Sequence, residues 1–449
     1  MESLQKRQYY PQTNHMTRKD IRRGTIGTIL FSLAVYLLIF IIYSSHSSCS
    51  HADEVLADDT PGVIWTDTLT NNSSSWEALA PMDREIERFM QKWHIKGMSF
   101  AVTRHDSLLY AKGYGYADLE IGRKLEATDI MRIASASKLV TAIGVMKLVE
   151  QGKLTLDTKI FGPDGILNDT VYTNAMCDKR MLDITVDHLL RHMGGFGRGA
   201  GDPMFTTNEI IKAKRLPGPP TPEELVKIVL GRRIAFAPGH GRIYSNFGYM
   251  LLSMAMERVT GESYWDYVTE NVLKPAGCYS FRPATNYYEE RHPNESKYYA
   301  PDDELVEEYN GSGRMVTRVY GGNNVNALMG AGGWCTSAAD FARLVAATDG
   351  DPRLEDVISR SSVATLTQHS DDEKMSRGWS ECDAYGKWTR TGTLSSTHTL
   401  VERFPNGDCW VLITNSGIWT GFHFTRDLQR LLDRLRDRYS ASLPRRDLF

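Results

Sequence analysis

Twenty consecutive residues near the N-terminus, Gly24 to Tyr43 (GTIGTILFSLAVYLLIFIIY), carry no charge. As a helix such a run spans a hydrocarbon core of roughly 30 Å. A buried core helix of this length would normally carry a polar face, and this one has none. Lys6, Arg7, Arg18, Lys19, Arg22 and Arg23 precede it, against Glu2 and Asp20, whereas Asp53, Glu54, Asp58 and Asp59 follow. The positive-inside bias then makes residues 1–23 a basic cytosolic tail and 24–43 a transmembrane signal anchor. Everything beyond lies in a lumen or outside the cell, the topology of a type II single-pass membrane protein. A cleaved signal peptide is the rival reading, since Ser50-His51-Ala52 offers small residues. The apolar run exceeds the ~7–15 residues of a signal core, however, and its basic leader is long.

The rest divides by composition. Residues 44–81 read as a stalk, with SSHSSCSH, an acidic patch and NNSSS in place of any apolar period. Residues 82–438 read as one globular body and 439–449 as a C-terminal tail. With 52 basic and 55 acidic residues the net charge is −3, so no basic field argues for nucleic acid as a partner. Sequons at Asn71, Asn72, Asn168, Asn294 and Asn310 are candidate glycosylation sites on the lumenal side. All six cysteines also fall beyond the anchor, where disulfides persist. None has CxxC spacing, which argues against a zinc or redox centre. Cys382 and Cys409 flank one predicted hairpin and could pair, and Cys49 could join two chains. The oligomeric state is not encoded in any of these features.

Within the body, DREIERFMQKWHI predicts a helix, and MSFAVTRHDSLLYAKGYGYADL a hairpin turning at Arg104–Ser107. From Leu139 to Val149 nearly every residue is apolar, the mark of a buried helix. At its N-terminus stands Ser135-Ala136-Ser137-Lys138, an S-x-x-K tetrad. Positions i and i+3 share one helical face, so the lysine amine can lie beside the serine hydroxyl. Burial lowers a lysine's pKa, and a neutral amine can accept the serine proton. The backbone N–H groups of a helix start favour an oxyanion. The tetrad alone is weak, because Ser3–Lys6 repeats it and Ser135 could equally be a helix cap.

The segment MRIASASKLVTAIGVMKLVEQGKLTLD resembles the nucleophile segment of the serine β-lactamase-related superfamily. That group holds class C β-lactamases, low-molecular-weight penicillin-binding proteins, related esterases and D-aminopeptidases, and eukaryotic β-lactamase-like proteins. GYGYADLE, ITVDHLLRHMGGFG, FAPGHGRIYSNFGYMLLSMAMERVTGESYWDYVTENVLKPAG and GAGGWCTSAADFARLV continue the resemblance in order, from about Met98 to Ser416. It implies an α/β, β-lactamase/transpeptidase-like fold. An antiparallel sheet is flanked by helices, with an inserted mostly helical lobe, and the whole is preceded here by the transmembrane helix.

The resemblance also implies roles. Ser135 is the nucleophile, and Lys138 and Tyr244 move protons, Tyr244-Ser245-Asn246 being the family's Y-x-N motif. Asn246 orients lysine or substrate. Thr391, Gly392 and Thr393 align with the K-T-G strand, whose basic position is Arg390. There arginine offers a fork for a carboxylate and points to an anionic substrate group. The N–H groups of Ser135 and Thr393 would form the oxyanion hole. The Pro-Gly that often follows this motif is replaced by Leu394-Ser395-Ser396-Thr397.

Other patterns are bland. Tyr172-Thr173-Asn174 repeats Y-x-N without the surroundings. His188 and His192 stand at i, i+4 but lack the glutamate of H-E-x-x-H, so no metal is expected. Gly194–Gly201 fits no phosphate loop and reads as a loop near the cleft. Ser337-Ala338-Ala339-Asp340 reads as a capping box. The expectation is a membrane-anchored serine hydrolase with no cofactor, acting through an acyl-enzyme on an ester, small amide or peptide. A weak or inactive relative that binds a ligand or partner through the same cleft is the alternative.

Overall fold

The computed structural model describes residues 69–449 apart from 198, 200, 303, 354, 369–375 and 419–421. The segment read as tail and anchor, and most of the stalk, lie outside the described residues. Among the described residues no helix is long and apolar enough to cross a membrane.

Strands β1 (Gly97–Arg104), β2 (Ser107–Asp118) and β3 (Arg123–Lys124) follow helix α1 (Ala80–Trp93). The β1–β2 turn falls where the sequence predicts it, with His105 and Asp106 both at positive φ. A short strand β4 (Met131–Arg132) leads into α2 (Ser137–Glu150). The helical lobe then carries α3 (Thr170–Ala175), α4 (Val186–Leu190), α5 (Thr207–Lys214), α6 (Pro222–Leu230), α7 (Asn246–Thr260) and α8 (Tyr264–Val268). Strand β5 (Arg282–Pro283), the hairpin β6 (Leu305–Glu307) and β7 (Met315–Thr317), and β8 (Trp334–Thr336) lead back. After α9 (Ala338–Ala346) and α10 (Arg360–Leu366) come β9 (Glu381–Cys382), β10 (Trp388–Leu394), β11 (Thr397–Arg403), β12 (Asp408–Thr414) and α11 (Phe422–Tyr439).

The main sheet is antiparallel, in the order β3-β2-β1-β12-β11-β10-β9. Its first and last long strands are neighbours, with Met98 opposite Thr414 and Ala101 opposite Val411. Both faces are buried, and the two-residue alternation of a strand sorts its side chains between two cores. Met98, Phe100, Val102, Trp410 and Leu412 meet α1 and α11. Ala101, Val411 and Ile413 face the larger core shared with α2, α7 and α9. The covering helices carry the matching helical period, Met82, Ile86, Phe89 and Met90 on α1 and Phe424, Leu428, Leu431 and Leu435 on α11. Helix α2 has eleven of its fourteen residues buried. Its Gly144 sits where a Cβ would meet Met256 Cε of α7 at 2.8 Å, so the two helices cross closely.

Four sequence expectations need correction. Residues 69–79, assigned to the stalk, belong to the body: Asn71 bridges the backbones of Gly113 and Leu125, and Ser74 Oγ accepts Ala111 N–H. Residues 439–449 are packed rather than a free tail, with Leu443 buried, Leu448 N–H donating to Leu108 O and Asp447 accepting Leu108 N–H. The side-chain amide of Asn71 is committed to the backbone hydrogen bonds just described, which removes it as a glycan acceptor, whereas Asn72, Asn168 and Asn294 are exposed and Asn310 half-buried. Cys382 and Cys409 lie on β9 and β12, with β10 and β11 between them. Three strand spacings of about 4.8 Å exceed disulfide reach, and neither cysteine is in a disulfide.

Candidate active site

The turn ahead of α2 is held open by the sheet behind it. Ile133 N–H donates to Trp334 O, Trp334 N–H donates to Ser137 Oγ, and Ala134 adopts φ 50, an uncommon conformation for a residue with a Cβ. Ser135 sits on the 3-10 turn Ala134–Ala136, one step before the α-helix proper. Its hydroxyl does not cap α2. It accepts instead from the Tyr244 hydroxyl at 2.7 Å and from Lys138 Nζ at 3.4 Å.

Lys138 is wholly buried. Its amine donates to Asn246 Oδ1 at 2.7 Å and to the Ala331 carbonyl at 2.5 Å. Burial brings its pKa down to about 8, Arg390 nearby adds to the fall, and Tyr244 and Asp202 oppose it. At neutral pH a minor share of the amine is therefore neutral, a share that becomes the majority above about pH 8. With two protons committed to Asn246 and Ala331, its third direction faces Ser135. Tyr244 is held low: burial favours the neutral phenol, but the positive charges of Lys138 and Arg390 outweigh it. The Tyr244 ring packs on His192 at 4.4 Å between centroids, and His192 Nδ1 accepts the Ser245 N–H. His192 thus supports the Y-x-N turn, and Ser245 Oγ caps α7 by accepting Gly248 N–H.

Strand β10 forms the opposite wall. Gly392 is pressed against the Ser135 turn, since a Cβ there would stand 2.3 Å from Ile133 O and 3.2 Å from Ser135 N. Thr391 N–H donates to Ser380 Oγ at 3.2 Å, away from β11. Thr393, two residues on, directs its N–H to the same edge by the strand's alternation. Arg390 departs from expectation. Its Nε donates to the Ser135 carbonyl at 3.0 Å and its Nη2 donates to the same oxygen. The fork is committed to the nucleophile turn, not held out for a substrate carboxylate, and the guanidinium is 3% exposed. An anionic substrate group is thus not indicated by Arg390.

These groups border one cleft of about 470 Å³, whose wall also includes Asp202, Phe205, Ser380 and Thr425. Sequence reasoning passed over all four, because none stands in a motif. The one available signal was the glycine-rich stretch ending at Gly201, which delivers Asp202 to the cleft. The other patterns resolve as structure. Tyr172 is buried against Phe161, His188 Nδ1 accepts the Thr185 N–H in a capping box, and Ser337 Oγ accepts Asp340 N–H. Asp340 does not complete that box, because its carboxylate accepts Ser280 N–H. Among the described residues no group of three His, Cys, Asp or Glu could hold a metal ion.

Comparison with known proteins bears on the fold and the family. Protein flp of Staphylococcus aureus (strain MW2) is 29% identical over 207 residues, 46% of this chain and 38% of its own. The chain thus spans well under half the length of that curated relative. Among solved structures, D-amino acid amidase from Ochrobactrum anthropi SV3 superposes with a TM-score of 0.60 at 18% identity, covering 81% of this chain and 99% of the amidase. The octameric penicillin-binding protein homologue from Pyrococcus abyssi gives 0.56 at 22% identity, covering 76% and 74%. The hydrolase EstCE1 gives 0.53 at 19%, covering 75% and 93%. At these identities the structures establish a shared fold. A family model described as Beta-lactamase matches residues 82–414, from the first long helix to the last strand of the sheet, and the chain belongs to that family.

Proposed function

We propose that this protein is a membrane-anchored serine hydrolase that works through an acyl-enzyme on an ester, small amide or peptide. The observation that carries the reading is the contact of Ser135 Oγ with both Lys138 Nζ and Tyr244 Oη, in a cleft lined by β10. A structural serine has no use for a buried amine near pKa 8 and a phenol at once.

In this reading Ser135 Oγ attacks the carbonyl carbon while its proton passes to Lys138. The N–H groups of Ser135 and Thr393 receive the oxyanion. Tyr244 gives its own hydroxyl proton to the leaving group, whose bond to the acyl carbon then breaks, and the Lys138 ammonium returns a proton to the phenolate. Water enters, the same pair removes its proton, and the acyl group leaves as a carboxylic acid. Arg390 holds the turn and adds positive charge beside Lys138 and Tyr244, favouring the neutral amine. The amidase of the same fold is known in complexes with phenylalanine and phenylalanine amide, which favours a small amide among the substrate classes. Residues 24–43 would anchor the body on the lumenal or outer side, with Asn72, Asn168 and Asn310 open to glycans and Asn294 exposed but with its amide donating to Thr128 O. Resistance to alkaline carbonate extraction, together with protection of the body from added protease in sealed vesicles, tests this topology.

Labelling by a fluorophosphonate probe tests the chemistry without knowledge of the substrate. Stoichiometric label on Ser135 is expected, abolished in Ser135→Ala and slowed on the order of 10²–10⁴-fold in Lys138→Ala. The binding-protein alternative draws on the committed fork of Arg390. It predicts that wild type, Ser135→Ala and Lys138→Ala turn over an activated ester at one common background rate.

A further inference from the structure

Asn246 engages the site through both ends of its amide. Its Oδ1 accepts from Lys138 Nζ at 2.7 Å, and its Nδ2 donates to Asp202 Oδ2 at 2.8 Å. The other carboxylate oxygen of Asp202 accepts the Met204 N–H at 3.1 Å, which ties Asp202 to the start of the segment leading into α5. A carboxylate is an acceptor only, so it tolerates just one orientation of the amide. In that orientation the carbonyl oxygen faces lysine.

The orientation decides what Lys138 can do. With Asn246 Oδ1 and Ala331 O each taking one N–H, the neutral amine keeps its lone pair for the remaining direction, where Ser135 Oγ stands at 3.4 Å and the Tyr244 hydroxyl is also within hydrogen-bond reach. A flipped amide would instead point its NH₂ at the amine. It would donate to that lone pair and so occupy the electrons that proton abstraction needs. Asn246 is 7% exposed, so water offers little compensation for a wrong choice.

We propose that Asp202 is a positioning residue for the proton transfer: acting through Asn246, it fixes the amide so that the Lys138 lone pair stays directed at Ser135. The inference rests on the acyl-enzyme reading above. It is also independent of the motifs, since Asp202 lies between the S-x-x-K and Y-x-N segments and belongs to neither. Its charge adds a second effect, because Asp202 raises the pKa of Lys138 against the larger, lowering effect of burial. Removing that charge therefore moves the acid limb of reactivity to lower pH while the maximum rate falls.

The test is the rate of fluorophosphonate labelling of Ser135 across pH 6 to 10, on the full chain in detergent. In this reaction Oγ–P forms, P–F breaks, Lys138 takes the proton and fluoride leaves. Wild type is compared with Asp202→Asn, Asp202→Glu, Asn246→Ala and the double variant Asp202→Asn/Asn246→Ala. Asp202→Asn should label about 10–100-fold more slowly at its plateau, with its acid limb displaced to lower pH, and Asp202→Glu should recover much of both. In the Asn246→Ala background Asp202→Asn should cost less than about 3-fold, because its route of action is already gone. Thermal midpoints near that of wild type, which Asp202→Glu must also show, exclude a simple loss of fold. An equal penalty in both backgrounds, or an Asp202→Asn variant with the wild-type rate and limb, overturns the proposal while leaving the hydrolase reading intact. Wild-type protein that takes no label at Ser135 overturns both.

Discussion

At the scale of single residues, two buried ionisable groups dominate. Lys138 must be neutral to accept a proton, and its value of about 8 places the change within reach of ordinary buffers. The labelling rate, or kcat/KM for an activated ester, is therefore expected to climb tenfold per pH unit below about 8 and to level off above it. A profile flat from pH 6 to 9 would remove Lys138 as the base. Asp106 is the second group. Both its carboxylate oxygens are buried with no hydrogen-bond partner, and Asp349, Asp351 and Asp356 crowd the same corner. Burial first, and those neighbours second, push its pKa up to about 7. The folded value exceeds the ~3.9 of an unfolded chain, so folding is penalised in full above pH 7 and not at all below pH 4. Asp106→Asn should accordingly gain about 1–3 kcal/mol at pH 8 and nothing near pH 4. Asparagine also suits the φ of 72 found there. Denaturant midpoints at the two pH values measure the difference, and no gain at pH 8 would show that the carboxylate is solvated. Of the site itself, the proximity of Ser135 and Lys138 followed from their i, i+3 spacing, but Ser3–Lys6 has the same spacing, and only the resemblance of the surrounding segment singled the pair out. Asp202 was not legible, since it reaches Lys138 only through the two ends of one amide. Arg390 was legible as a charge, but no pattern reveals which way a guanidinium turns.

At the scale of elements, the seam between β10 and the Ser135 turn leaves no room for a side chain at Gly392. Gly392→Ala would drive a methyl group onto Ile133 O and towards the amides of Ser135 and Ala136. A loss of about 1–3 kcal/mol is expected, with labelling of Ser135 slowed more than tenfold while α2 stays folded. Unfolding midpoints and labelling rates on one preparation separate the two effects. The sheet also explains why the cysteine pairing failed. A hairpin predicted between Cys382 and Cys409 is present as β10–β11, but in an antiparallel meander the strands flanking a hairpin lie on its opposite sides. Closeness in sequence therefore became distance in the sheet. Alkylation of denatured, unreduced protein should modify Cys177, Cys278, Cys335, Cys382 and Cys409, and in the native state Cys177 alone of these five should react promptly, because it alone is exposed. A mass two units low on a peptide pair would mark a disulfide and contradict the fold at that point. The helices α1 and α2, the β1–β2 hairpin and the buried character of α2 were legible from apolar period alone. The packed ends of the body were not, because NNSSS and the residues after Tyr439 have the composition of linkers and are held by specific polar contacts.

At the scale of the whole molecule, two cores share one sheet, and the outer core is built from both ends of the body. Helix α1 precedes the sheet and α11 follows it, yet their apolar stripes meet the same face. Trimming the chain just after β12 would expose Trp410, Leu412 and Phe100 together, and such a product should aggregate rather than fold. Light scattering of a chain ended at Ser416 reads this directly, and a monodisperse product would mean that α11 is dispensable. The late place of β10 in the chain also has a meaning in time. During synthesis the serine emerges with its lysine, but the strand that supplies Gly392 and Thr393 follows only about 260 residues later, roughly 13–50 s at ribosomal speed. Throughout that interval the nascent chain carries Ser135 and Lys138 without the β10 wall of the cleft and without Arg390 to hold the Ser135 turn. On the hydrolase reading, the order of the chain completes the site only when the last strands arrive, a clock written into topology.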